Sequence, residues 1–277
     1  MKAMQILPET GLPQPPDFFI NDDYYKYSEE GRAVSEEEYW EKYCIHPDYN
    51  YEWNNGCLEV KPRILSPDGI FLWGWFFKLI KNFIENYPDA EILLIKTGFT
   101  PFKKEKPVYQ MEMGVILNTN PVPIVSDSFS YPGICDMCIE IISCLSSEEI
   151  KCYTAGKKKE HEAAGVKEYF ILDDKRKDMC FFRLNKLGVY EHIEPFDGDI
   201  IRSDVLPGFQ FRISDLYTLP PDIEMVKHDV YKPFIMTHYQ AEKQRADQEK
   251  QKAEQERQRA DKFAAKLKEL GISVDDV

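Results

Sequence analysis

The spacing of apolar positions changes several times along the chain, and each change marks an element. Residues 1–34 have no period. They are rich in proline and acid, as in LPETGLPQPPDFF, and read as an arm without a core of its own. Ser35 followed by Glu38 forms a capping box and predicts a short helix through Tyr39 and Trp40. Asn55-Gly56, inside YEWNNGCLEV, is a two-residue turn between two short strands. Ser66-Pro67 then combines an N-cap with a proline at the first helical position. Behind it Phe71, Leu72, Trp75, Phe76, Leu79, Ile80, Phe83 and Ile84 recur at helical spacing, a stripe broad enough to pack deeply on a sheet.

Three strand-like runs follow: EILLIKTGF, PVYQMEMGVIL and GICDMCIEII. Ser146 with Glu149 is a second capping box, opening a helix that runs to Ala164 and ends at Gly165 in the manner of a left-handed C-cap. KEYFILDD, MCFFRLN, GVYEHI and PGFQFRI read as further strands. Strands, a helix and more strands in this order predict an α+β fold with a central mixed β-sheet flanked by helices.

Composition shifts after residue 220. The stretch from Ala241 to Glu269 is built of Ala, Glu, Gln, Lys and Arg and resembles a repeat, QRADQEK, QKAEQER, QRADKFA. Ala246, Ala253, Ala260 and Leu267 lie seven apart, with Glu249, Glu256, Phe263 and Leu270 three residues after each. The seam is apolar only from Ala260 to Leu270. Two readings stand side by side, a solvated single helix and a coiled coil joining a homodimer. The expected organisation is an arm at 1–34, a folded domain at 35–220, a linker at 221–238 and a charged helical tail at 239–277.

The charge balance narrows the function classes. Against 35 Lys and Arg stand 48 Asp and Glu, a net charge of −13, which argues against coating nucleic acid non-specifically. No run reaches the roughly 18 apolar residues of a membrane span, and MKAMQILPETGL carries no secretory signal. With seven scattered cysteines read as reduced core thiols, the expectation is a cytoplasmic protein with no membrane partner. Cys135 and Cys138 form a lone CxxC; strand alternation would put them on opposite faces, unable to chelate one ion.

Read as a strand, GICDMCIEII carries Asp136, Cys138, Glu140 and Ile142 on one face. Glu140 in such apolar company needs neutralising, pairing or a metal. Asp136 is roughly 13 Å away at strand rise and suits strand-start bonding or a supporting place behind the ligands. VYQMEMGVIL repeats the pattern with Glu112. If the two strands are neighbours, Glu112 and Glu140 face each other, and a divalent cation would relieve their repulsion. Oxygen ligands favour Mg²⁺ or Mn²⁺. On the following helix Ile150, Tyr153, Thr154, Lys157, His161 and Ala164 make an inward stripe, while Lys158, Lys159, Glu160 and Glu162 face solvent. An inward Lys157 needs an anion: either it pairs with Glu140 alone, or it joins two carboxylates and a metal in a set suited to phosphodiester hydrolysis. His161 reads as a packed, bonded histidine. Lys103, Lys104 and Lys106 form a basic loop that is either solvated or in contact with phosphates.

Taken together, YEWNNGCLEV (51–60), DMCIEIIS (136–143), the Lys157-to-Gly165 spacing within KKKEHEAAGVKEYFILDD (157–174) and VLPGFQFRISDLY (205–217) resemble the Uma-type restriction endonuclease family over about residues 35 to 220. The resemblance implies a PD-(D/E)XK nuclease-like, restriction-endonuclease-like core and a DNA substrate. It places the metal-binding acids on Glu112 and Glu140 and the catalytic lysine on Lys157. Glu52 matches the acid of the family's hairpin and would either stand behind the ligands, as Asp136 and His161 would, or support a second metal. The chain departs from the family in having Met111-Glu112 for Pro-Asp. Ile142 stands where other PD-(D/E)XK nucleases carry a lysine. The expected function is a metal-dependent endonuclease. The alternative is a catalytically degenerate binding or scaffold protein that oligomerises through its tail.

Overall fold

The computed structural model describes residues 26–61, 66–94, 98–99, 109–110, 112–125, 130–142, 147–175 and 177–269. Ser146, Met111, the Lys103–Lys106 loop and Leu270 therefore lie outside the described residues. Two compact units divide the chain, Met1–Leu219 and Pro220–Val277.

The first unit begins with α1 (Glu36–Glu38), where the Ser35 hydroxyl accepts the Glu38 amide at 3.1 Å, and a π-helical turn, Tyr39–Tyr43. β1 (Asn50–Asn54) and β2 (Cys57–Lys61) follow as an antiparallel hairpin. Asn55 and Gly56 take φ values of 50° and 87°, the mirror-image turn that suits strand twist. Of the expected arm, residues 1–25 lie outside the described residues. Gly31 N donates to Leu58 O at 2.8 Å and Leu58 N to Arg32 O at 2.9 Å, so the chain there runs along β2 as a third edge. Tyr39, Tyr43, Tyr51, Trp53, Leu58 and Val60 close a small core around this hairpin.

α2 (Pro67–Asn86) starts where Ser66 Oγ accepts the Gly69 amide at 3.0 Å. It buries Leu72, Trp75, Phe76, Leu79, Ile80 and Phe83. The predicted stripe is wider than the face that is covered: Phe71, at its rim, is 65% exposed. Next come β3 (Ala90–Leu94), β4 (Gly98–Phe99), β5 (Tyr109–Gln110), β6 (Met113–Leu117), β7 (Ser130–Tyr131) and β8 (Met137–Ile142). α3 (Ser147–Ala164) leads to β9 (Glu168–Asp173), β10 (Cys180–Leu184), β11 (Tyr190–His192), β12 (Ile200–Arg202), β13 (Gln210–Arg212) and α4 (Asp215–Thr218). Gly165, at φ 87°, ends α3, its amide reaching the His161 and Glu162 carbonyls at 3.1 Å.

Among the described residues the central sheet has six strands in the order β11-β10-β9-β8-β6-β3. Only β8 and β9 are parallel, and α3 is the crossover that a parallel pair requires. One face packs aromatics from α2 and β13: Phe76 lies 6.5 Å from Phe170 and 5.1 Å from Phe211, centroid to centroid. The other buries Cys138, Ile142, Tyr169, Ile171 and Phe182 beneath Ala164 of α3. The fold is thus α+β, a mixed sheet between helices.

Two readings of the strands need correcting. PVYQMEMGVIL is not one strand: β5 pairs in a small sheet with β4 and β7, β6 joins the central sheet, and Glu112 lies at the bend between them. Cys135 precedes β8, so alternation does not separate it from Cys138; the two thiols are hydrogen-bonded within one core.

In the second unit the stretch expected to be a linker holds α5 (Asp222–Met225) and buries Met225, Tyr231, Phe234 and Ile235. α6 (Thr237–Glu269) follows, exposed along most of its length, with Phe263 63% exposed.

Candidate active site

The site forms where β6, β8, α3 and the β1 hairpin converge. The β6–β8 ladder pairs Met113 with Ile139 and Gly114 with Cys138. Glu112 lies at the bend just before Met113, at the end of this ladder, and is near enough to Glu140 for the two carboxylates to repel. Glu140 is 3% exposed and lies on the face that also carries Cys138 and Ile142, because side chains alternate along β8. Its Oε1 accepts no hydrogen bond among the described residues. Glu112, at the bend, is half-buried.

α3 crosses above that face. Lys157 and His161, four residues apart, point down from it and are 3% and 1% exposed. His161 Nε2 lies 3.7 Å from Glu140 Oε1, and its ring packs at a tilt, 4.4 Å centroid to centroid, against that of Tyr169. The partner of Lys157 is Glu52, not Glu140: Nζ donates to both oxygens of Glu52 at 2.9 Å. Glu52 reaches it because Tyr51 and Trp53 turn into the hairpin's own core, which sends the residue between them the other way. Nothing in local sequence pattern joins residues 105 apart; the signal for Glu52 in the sequence is its match to the acid of the family's hairpin.

Electrostatics bind these groups into one cluster. Burial, then repulsion from Glu140 and Glu52, push the Glu112 carboxyl from its ordinary 4.5 up to about 8, against the pull of the Lys157 ammonium. The buried Cys138 thiol is also raised, by its bond to Cys135, by burial and by Glu140. Three carboxylates and one ammonium leave two negative charges when all are ionised. A divalent cation would cancel them.

Asp136 is not part of this cluster. Its Oδ2 accepts the Leu117 amide at 2.9 Å and Asn120 Nδ2 at 2.8 Å, and Oδ1 meets Lys167 Nζ at 2.6 Å. It fastens the start of β8, at the far end of the strand from Glu140. Glu162, expected in solvent, accepts the Tyr190 amide at 2.7 Å and so ties α3 to the sheet edge. Lys158 lies 4.4 Å above the Phe182 ring. The side chains of Ile150, Tyr153 and Thr154 lie outside the described residues.

A cation fits this donor set in a restricted way. No group of three or more His, Cys, Asp or Glu side chains is arranged to hold a metal among the described residues. Glu112 and Glu140 offer two neighbouring carboxylates, one with an oxygen that accepts no bond there. That matches a hard cation held by one or two carboxylates, with water completing its shell.

The fold is of a nuclease-like class. A crystal structure titled a "putative nuclease belonging to DUF820" from Anabaena variabilis ATCC 29413 superposes with a TM-score of 0.52 at 13% identity, over 66% of this chain and 97% of that one. The Uma2 family, described as "Putative restriction endonuclease", matches residues 36–214, and the chain belongs to it. No curated protein matches the sequence. No helix among the described residues is long and apolar enough to cross a membrane.

Proposed function

We propose that this chain is a metal-dependent endonuclease that hydrolyses DNA phosphodiester bonds in the cytoplasm with Mg²⁺ or Mn²⁺. The observation that carries the reading is the nearness of Glu112 to Glu140, with the Lys157 ammonium close enough to Glu112 to act on it electrostatically. Glu112 and Glu140 would hold the cation. When bound, it supplies Lewis-acid polarisation of the phosphate and compensates the charge on the two acids.

The chain's own groups do the rest. Glu140, fixed in a buried strand, would offer its carboxylate to the cation from one set place. Lys157 donates from Nζ toward the phosphate oxygens, where negative charge builds as water attacks in line, and its burial strengthens that contact. His161 packs between Glu140 and the Tyr169 ring and limits the rotamers open to the Glu140 carboxylate. Asp136 stays with the strand start and takes no part.

Purified protein on supercoiled plasmid DNA with Mg²⁺ or Mn²⁺ tests this, beside Glu140→Ala. We expect nicked and linear products from the wild type and a loss of at least 100-fold in the variant. Equal cleavage by both would sink the reading. A second reading, a non-catalytic nuclease-fold scaffold, draws on the exposed α6 and the net charge of −13. It requires that millimolar Mg²⁺ not bind.

A further inference from the structure

We propose that Glu52 is a positioning residue for Lys157, holding the ammonium through both carboxylate oxygens without ligating the cation. This deepens the nuclease reading above and rests on it. Both Nζ–O distances are 2.9 Å, and the two side chains are 4% and 2% exposed, so the pair is symmetric and shielded from water. Lysine reaches a site on four rotatable bonds, and a carboxylate gripping it with two oxygens removes most of that freedom. The anchor is itself anchored. Tyr51 and Trp53, on either side of Glu52, are buried in the hairpin core, and Trp53 Nε1 donates to Val34 O at 2.9 Å.

The arrangement also explains why the ammonium leaves Glu140 to the metal. Lys157 lies near enough to Glu112 to lower its affinity for protons, yet its bonds go to Glu52. An ammonium paired with Glu140 would occupy the cation's place. Glu52 therefore separates two positive charges that the same acids would attract.

The test uses the full chain with ¹⁵N-labelled lysine. In the wild type one ammonium signal should resist exchange with water at neutral pH, and Lys157→Arg should remove it. Glu52→Asp should keep the signal and Glu52→Gln should abolish it. A wild-type protein with no protected ammonium overturns the proposal. Mn²⁺ titration gives the second readout. We expect the Kd in Glu52→Gln either to hold within threefold or to weaken and then recover in Glu52→Gln/Lys157→Met, where no freed ammonium competes for Glu140. A Kd weakened tenfold or more in both variants would make Glu52 a ligand and overturn the proposal. On DNA, Glu52→Gln should lower kcat about 100-fold, the scale of a misplaced catalytic group, with KM nearly unchanged. If the wild type cuts no DNA, the nuclease reading fails, while the ammonium and Mn²⁺ measurements still decide whether Glu52 holds Lys157.

Discussion

Glu112→Gln should make the metal-free protein more stable at pH 8 while abolishing its capacity to bind a divalent cation. The side chain is half-buried, and burial with the Glu140 and Glu52 carboxylates raises its pKa from 4.5 to about 8. A carboxyl raised on folding contributes stability that is complete below its unfolded value. That contribution is lost as pH rises through the folded value. The window here runs from about 4.5 to about 8, and above it the ionised Glu112 opposes folding. The shift corresponds to an upper bound of about 5 kcal/mol. Water that still reaches the carboxylate screens this to the order of 1–2 kcal/mol. Glutamine keeps the shape and cannot ionise, so it removes the penalty. For a unit of this size the gain is about 2–8 °C in Tm at pH 8, shrinking to about a third of that at pH 5.5. Thermal melts of both proteins in chelator at the two pH values measure it. Repeating them with millimolar Mg²⁺ should lift the wild type and leave the variant unmoved. An unchanged or lower Tm for Glu112→Gln at pH 8 would refute the placement of Glu112 against the other two acids.

The same raised carboxyl must lose its proton when a cation binds, so titration calorimetry in buffers of different ionisation heat should report release of about 0.9 proton at pH 7 and about 0.5 at pH 8; a release of zero at pH 7 would contradict it. Lys157→Met strands the buried Glu52 carboxylate and should cost about 3–5 kcal/mol in urea unfolding, most of it recovered in Glu52→Met/Lys157→Met; a single variant as stable as the wild type would mean the pair is not buried together. Gly165→Ala forces a side chain into a left-handed conformation at φ 87° and should destabilise by about 1 kcal/mol, read from the same unfolding curves. Truncation after residue 238 should lower the mass seen by light scattering beyond that of the deleted segment if Ala260 to Leu270 joins two copies; a change equal to the segment alone would leave α6 a single helix.

Local rules carried the sequence a long way. Ser35, Ser66 and Gly165 mark helix ends because each sets a hydrogen bond or a φ value within four residues of itself, and Asn55-Gly56 sets a turn in the same way. Alternation placed Glu140 on the face of β8 that α3 covers, and helical spacing turned Lys157 and His161 toward it. These periods follow from backbone geometry and hold wherever the element forms. What tertiary structure alone decided was pairing. The pairing of β6 with β8 brings Glu112 near Glu140, although the chain bends at Glu112 and leaves the strand that the pattern implied. The hairpin's separate core aims Glu52 at Lys157 and so redirects an ion pair that proximity in pattern would have given to Glu140. Asp136 shares a strand with Glu140, yet the Leu117 amide, Asn120 and Lys167 hold it elsewhere. A sequence fixes which way a side chain leaves its own element; which charge waits there depends on how distant elements pack to exclude water.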